Sequence, residues 1–183
     1  MNATAPSPDR LVTRANALTL LRLLLAPLLA AAVLHGEPGV ATALFFLAVA
    51  TDFADGWVAR RYDEVTPFGG FADHAVDATF VTVGTGALAC NGVLPAILPA
   101  LIALAFTQYA LDSRVLASSG LVPSQLGRWN GLAYYVALAT PLIRDTLALG
   151  WPSPGLVSVL GWALVVSTLL SMIDRLRLLA KRS

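Results

Sequence analysis

Cysteine occurs once, at Cys90, and histidine only twice in 183 residues. One cysteine excludes an internal disulfide framework and a thiolate metal centre within one chain. Charge is scarce, at 13% Asp, Glu, Lys and Arg, and nearly balanced at a formal +1. The net value says little by itself, and no nucleic-acid partner is expected. There is no internal repeat and no low-complexity block. The letters Gly84-x-Gly86-x-x-Ala89 fit a dinucleotide fingerprint, but they lie inside an apolar run with neither a preceding strand nor an acid about twenty residues on. Small residues there suit close helix packing instead.

What the chain does have is apolar length. At 57% hydrophobic residues and a mean hydropathy of +0.72, it is too greasy for a soluble domain and reads as one all-α, polytopic membrane domain. Apolar runs at 18–34, 39–60, 70–90, 93–113, 129–149 and 155–174 each approach the ~20 residues a bilayer requires, which predicts six transmembrane helices. They are separated by turn-formers such as His35-Gly36-Glu37-Pro38, Asn91-Gly92 and Pro152-Ser153-Pro154. The expected layout is a cytoplasmic or interfacial segment over 1–17, the membrane domain over 18–176 and a basic tail over 177–183. Within the first of these, Asp9 to Asn16 suit a short helix on the headgroups.

Orientation follows from arginine and lysine. In this six-span layout all basic residues except Arg144 fall on one side, and cytoplasmic flanks are the ones that retain Lys and Arg. Both termini and the turn between the second and third spans are therefore expected in the cytoplasm, with the chain in the inner or plasma membrane. Trp57, Trp129 and Trp151 lie near the expected interfaces, as an aromatic belt does.

Against this background four carboxylates stand out: Asp52, Asp55, Asp73 and Asp77. On a helix Asp52, Asp55, Gly56, Ala59 and Arg60 share one face, and Gly69, Asp73 and Asp77 form a second stripe at i, i+4 and i+8. Two such helices facing each other bring the acids together near the cytoplasmic surface. Acids in a membrane span are costly and generally functional. Arg60 and Arg61 can neutralise part of their charge. A cluster of oxyacids without histidine favours a hard cation such as Mg²⁺ or Mn²⁺, and Gly56 and Gly69 leave room for a bulky ligand at the backbone. A cation pathway in a transporter and a purely structural Asp/Arg network are the rival readings of the same residues.

The pattern Asp52-x-x-Asp55-Gly56-x-x-Ala59-Arg60, then Gly69, Asp73 and Asp77, resembles the signature of the CDP-alcohol phosphotransferases at every specified position. Asn16-Ala17-Leu18-Thr19-Leu20-Leu21-Arg22, followed by Pro27, is similar to the family's first-helix pattern. The resemblance implies an enzyme in which an alcohol attacks a CDP-linked donor, forming a phosphodiester and releasing CMP. It implies a two-metal site on Asp52, Asp55, Asp73 and Asp77, with Asp77 also the base for the attacking hydroxyl. Gly56, Ala59, Arg60 and Gly69 would meet the CDP part.

Asn16, Thr19 and Arg22, with Arg114 and Arg128 of the fourth connection, are the expected lining of the donor and acceptor pocket. A site within the bilayer suits CDP-diacylglycerol as donor and phospholipid synthesis as the role; a different CDP-alcohol donor is the alternative. Cationic loop residues suit a phosphorylated alcohol such as glycerol 3-phosphate. Leu126 to Gly131 partly resembles the fifth-helix entry of phosphatidylglycerophosphate synthases, but Arg128 stands for a lysine and Asn130-Gly131 for a Lys-Thr pair. A homodimer is a family-level expectation.

Overall fold

The computed structural model describes residues 14–61, 67–115 and 125–180, with side chains described at 18–54, 57, 61, 70–111 and 125–178. All regular structure among these residues is helical: α1 (Arg14–Leu34), α2 (Pro38–Arg61), α3 (Pro67–Cys90), α4 (Leu98–Val115), α5 (Gln125–Thr146) and α6 (Pro154–Ala180). Proline opens α2, α3 and α6, where its missing N–H costs no helical hydrogen bond. At α6 the preceding Ser153 caps the helix, accepting from Leu156 N at 3.3 Å. Gly36 and Gly92 end α1 and α3 at φ of +70° and +72°. In both turns the next amide reaches back into the helix, Glu37 N to Ala32 O and Val93 N to Leu88 O, each at 2.9 Å. Only glycine enters that left-handed conformation freely.

The expected helices are present with shifted ends. α4 starts at Leu98 rather than 93, because Asn91-Gly92 and Pro95 hold the chain in turns until then. α6 runs on through Arg175 and Arg177 to Ala180, beyond the expected start of a tail at 177. The expected N-terminal interfacial segment falls, up to residue 13, outside the described residues. Among the described residues only α6 has, over Pro154–Leu178, the uninterrupted apolar length to cross a bilayer by itself. The apolar parts Leu18–Leu34, Pro38–Ala54 and Leu98–Leu111 are shorter, and in α3 the acids Asp73 and Asp77 interrupt the apolar pattern.

α1 packs against both α2 and α3; α5 touches α2, α3 and α6; α4 lies between α3 and α6. Among the described residues the backbones of α2 and α3 stay apart, with α1 and α5 packed against both. The two helices meet through side chains, Phe45 against Phe80 with centroids 6.5 Å apart and Asp52 beside Asp73 and Asp77, so the expected facing of the two acid stripes is present for these three acids. Close approach relies on small residues. A Cβ on Gly84 of α3 would lie 2.7 Å from Leu29 of α1 and 2.8 Å from Leu138 of α5, so the Gly84–Ala89 run serves packing.

The core stripes lead to the site. On α1 the buried positions Leu25, Ala26, Leu29 and Ala32 extend back one turn to Arg22. On α2, Ala41, Phe45 and Ala48 extend forward to Asp52, and on α3 Phe80, Val81 and Gly84 extend back to Asp77 and Asp73. Charge thus occupies the end of each helix face that elsewhere makes the hydrophobic core.

Candidate active site

Asp52, Asp73 and Asp77 each offer a carboxylate oxygen, and the three lie within 4.8 Å of one another. The cluster is assembled around Arg22, whose side chain has no exposed area. Its Nη2 pairs with Asp52 Oδ1 at 3.0 Å, and its Nη1 pairs with Asp73 Oδ1 at 3.0 Å and contacts Asp77 Oδ1. The acids keep 39%, 29% and 29% of their side-chain surface exposed. Arg22 is therefore on the protein side of the cluster, and the carboxylates are on its open side. The sequence pointed to Arg60 and Arg61 as the neutralising charges. Arg61 is exposed and the Arg60 side chain is outside the described residues, so among those described Arg22 fills the role.

Tyr135 of α5 completes the arrangement and was not among the expected residues. Its hydroxyl donates to Asp77 Oδ1 at 3.0 Å. The ring is stacked on Phe80 of α3, with centroids 6.3 Å apart, and lies 6.2 Å from Phe45 of α2. The one sequence signal for it was a tyrosine inside an apolar helix, where the hydroxyl needs a polar partner. Nothing in the chain order says that the partner is on α3.

Asp52 and Asp77 open onto a cavity of about 860 Å³ bounded by α2, α3, α4, α5 and α6. Most of its wall is apolar, including Phe45, Val49, Phe53, Val81 and Ile102. Two cations also line it, Arg128 of α5 and Arg175 of α6. The Arg175 guanidinium lies 5.0 Å over the Tyr109 ring, itself stacked on His74 at 6.2 Å. Gly127 lets α5 approach this arginine: a Cβ there would be 3.1 Å from Arg175 Nη2. Hydrogen bonds from Ser167 Oγ to Asn130 Oδ1 at 2.6 Å and between Tyr134 and Thr168 hydroxyls at 2.7 Å join α5 to α6 alongside.

Of the expected site residues, the structure brings Asp52, Asp73, Asp77 and Arg22 into one cluster and puts Arg128 on the same cavity. Thr19 is buried on α1, one turn before Arg22. The side chains of Asp55, Ala59, Arg60, Asn16 and Arg114, and the surroundings of Gly56 and Gly69, lie outside the described residues, as do residues 116–124. His74 is not part of the triad; its Nδ1 is 2.8 Å from Gly70 O. Arg144 pairs with its neighbour Asp145 at 2.6 Å, as expected of a charge at a helix end.

The donor set is oxygen only, three carboxylates with neither thiolate nor imidazole, and so fits a hard divalent cation. These features define an all-helical protein with an acidic, metal-competent cluster on a large, mostly apolar cavity. The model of the CDP-alcohol phosphatidyltransferase family matches residues 12–174, and the chain belongs to that family. It is 28% identical over 197 residues to a cardiolipin synthase (CMP-forming) of Oryza sativa subsp. japonica, covering 90% of this chain and 59% of the rice protein. With a probable phosphatidylglycerophosphate synthase of Mycobacterium tuberculosis the identity is 29% over 171 residues, 90% of this chain and 80% of the relative. A shorter match, 41% over 71 residues, links 37% of the chain to 36% of a CDP-diacylglycerol–glycerol-3-phosphate 3-phosphatidyltransferase of Pseudomonas fluorescens.

Proposed function

We propose that the protein transfers the phosphatidyl group of CDP-diacylglycerol to a phosphorylated alcohol, releasing CMP, as a step in phospholipid synthesis. The observation that carries this reading is the joining, on one cavity, of the carboxylates Asp52 and Asp77 with apolar walls and the cations Arg128 and Arg175. Apolar walls suit a donor with acyl chains. Arg128 and Arg175 suit an acceptor that brings its own negative charge. The names of the relatives divide between phosphatidylglycerophosphate and cardiolipin synthesis, and one names glycerol 3-phosphate as its acceptor.

Two Mg²⁺ or Mn²⁺ ions held by Asp52, Asp55, Asp73 and Asp77 would neutralise the donor pyrophosphate and the departing CMP. Asp77 is the proposed base. Hydrogen bonding to its Oδ1 by Tyr135 and Arg22 orients the carboxylate and leaves Oδ2 to take the proton of the attacking hydroxyl. Gly56, Ala59, Arg60 and Gly69 are assigned to the CDP part, and Asn16, Thr19 and Arg114 to the pocket margin.

The setting is a bilayer crossed by all six helices, with 18–176 as the membrane domain and both termini and the site mouth cytoplasmic. Supporting this, the outward faces are apolar: Leu20, Leu24 and Leu28 on α1 and Val159, Trp162, Val166 and Leu170 on α6 are exposed, while Arg22 is buried. That is the reverse of a soluble protein's distribution of charge. A homodimer within the membrane belongs to the same proposal.

The test is CMP release from CDP-diacylglycerol by purified protein in lipid vesicles with Mg²⁺ or Mn²⁺. The acceptor panel holds glycerol 3-phosphate, phosphatidylglycerol and neutral polyols. Release that depends on one phosphorylated acceptor establishes the reaction and names the alcohol. Release with no acceptor present makes the protein a hydrolase, and none with any acceptor removes CDP-diacylglycerol as donor.

A further inference from the structure

Arg22 is on the inward stripe of α1, in line with Ala26 and Leu29, so the helix buries it wherever the core forms. Burying a guanidinium is costly unless opposite charges receive it. Among the described residues three do: Asp52 from α2 and Asp73 and Asp77 from α3. The dependence is mutual, since three carboxylates within 4.8 Å repel one another strongly in a low-dielectric setting. The contrast in exposure, none for Arg22 and 29% to 39% for the acids, puts the arginine behind the cluster and leaves the cavity side to an incoming ion.

We infer that Arg22 is the built-in counter-cation of the acidic cluster. It holds the three carboxylates together from the protein side before a divalent cation arrives from the cavity side. The site is thereby assembled without metal, and the same positive charge loosens the grip on metal that the bare triad would have. This rests on reading the acids as a divalent-cation site. It makes Arg22 a positioning residue, acting through the carboxylates. It also gives the chain a way to lose its ions with the anionic product without the α1, α2 and α3 ends separating.

The experiment compares wild type, Arg22→Met and Arg22→Lys, purified in detergent. Mn²⁺ binding is followed by the paramagnetic resonance of free Mn²⁺, and thermal unfolding is recorded in chelator and in Mn²⁺. Arg22→Met should bind Mn²⁺ roughly tenfold tighter or more, and the gap between its melting temperatures in Mn²⁺ and in chelator should exceed that of wild type. Arg22→Lys keeps the charge but not the planar fork that reaches three acids, and should fall between the two.

Equal Mn²⁺ affinity in wild type and the methionine variant, with melting lowered alike in both conditions, would reduce Arg22 to a packing residue and overturn the inference. Weaker Mn²⁺ binding by the methionine variant overturns it as well. If that variant folds in neither condition, Arg22→Lys decides, and an unchanged affinity there counts against the inference. Absence of Mn²⁺ binding in wild type removes the metal reading itself, and the inference with it; that result is distinct from equal binding in both proteins.

Discussion

The hydroxyl of Tyr135 on α5 donates to Oδ1 of Asp77 on α3 at 3.0 Å. Arg22 of α1 contacts the same oxygen, so this carboxylate is held from the two helices that bridge α2 and α3. Its orientation is set by tertiary packing, and that makes the pair a direct test of the proposed chemistry. Tyr135→Phe removes one hydrogen bond to a charged acceptor, worth about 1.5 kcal/mol. The expected outcome is a roughly tenfold fall in kcat for CMP release, with KM for the donor little changed, measured under saturating acceptor.

Asp77→Asn keeps the shape of the side chain and removes its capacity to take a proton. CMP release should fall by about a hundredfold or more, while the helical circular dichroism of the detergent-solubilised protein stays at the wild-type level. Residual release near the wild-type rate would exclude Asp77 as the base.

Chelation should abolish the reaction, and Mg²⁺ or Mn²⁺ should restore it. The carboxylates of Asp52, Asp73 and Asp77 lie close enough together to hold one cation. Asp52→Asn, which removes one charge from it, should therefore raise the Mn²⁺ concentration needed for half-maximal rate by about tenfold.

Arg128 and Arg175 line the cavity beside Asp52 and Asp77, and the proposed reading assigns them to the acceptor. Replacing Arg175 or Arg128 by glutamine should raise KM for a phosphorylated acceptor by about tenfold and leave KM for CDP-diacylglycerol near its wild-type value. Equal loss for donor and acceptor would argue that these arginines serve the whole cavity.

Two glycines should differ in what they tolerate. A Cβ at Gly161 would lie 2.4 Å from Pro95 Cδ, whereas at Gly84 the nearest atoms are the mobile ends of Leu29 and Leu138. A proline ring cannot rotate away as a leucine methyl can. Gly161→Ala should therefore cost about 1–3 kcal/mol of stability and lower the melting temperature in detergent more than Gly84→Ala does. Equal shifts would mean that the chain around Pro95 gives way as readily as the leucines.

The sequence by itself determined the helices, the acid pair on each of two helix faces, and the family. These depend on local periodicity, on turn chemistry and on fixed spacing such as Asp73 to Asp77, all read along one chain. Only the tertiary structure decided that α1 and α5 pack against both α2 and α3, that Arg22 rather than Arg61 meets the acids, and that Tyr135 and Arg175 belong to the cavity. The physical reason is that helical periodicity says which residues share a face and not which helix that face meets. The partner of a buried charge is chosen by packing: Arg22 pairs with Asp52, Asp73 and Asp77 because the core stripes of three helices end at the same place.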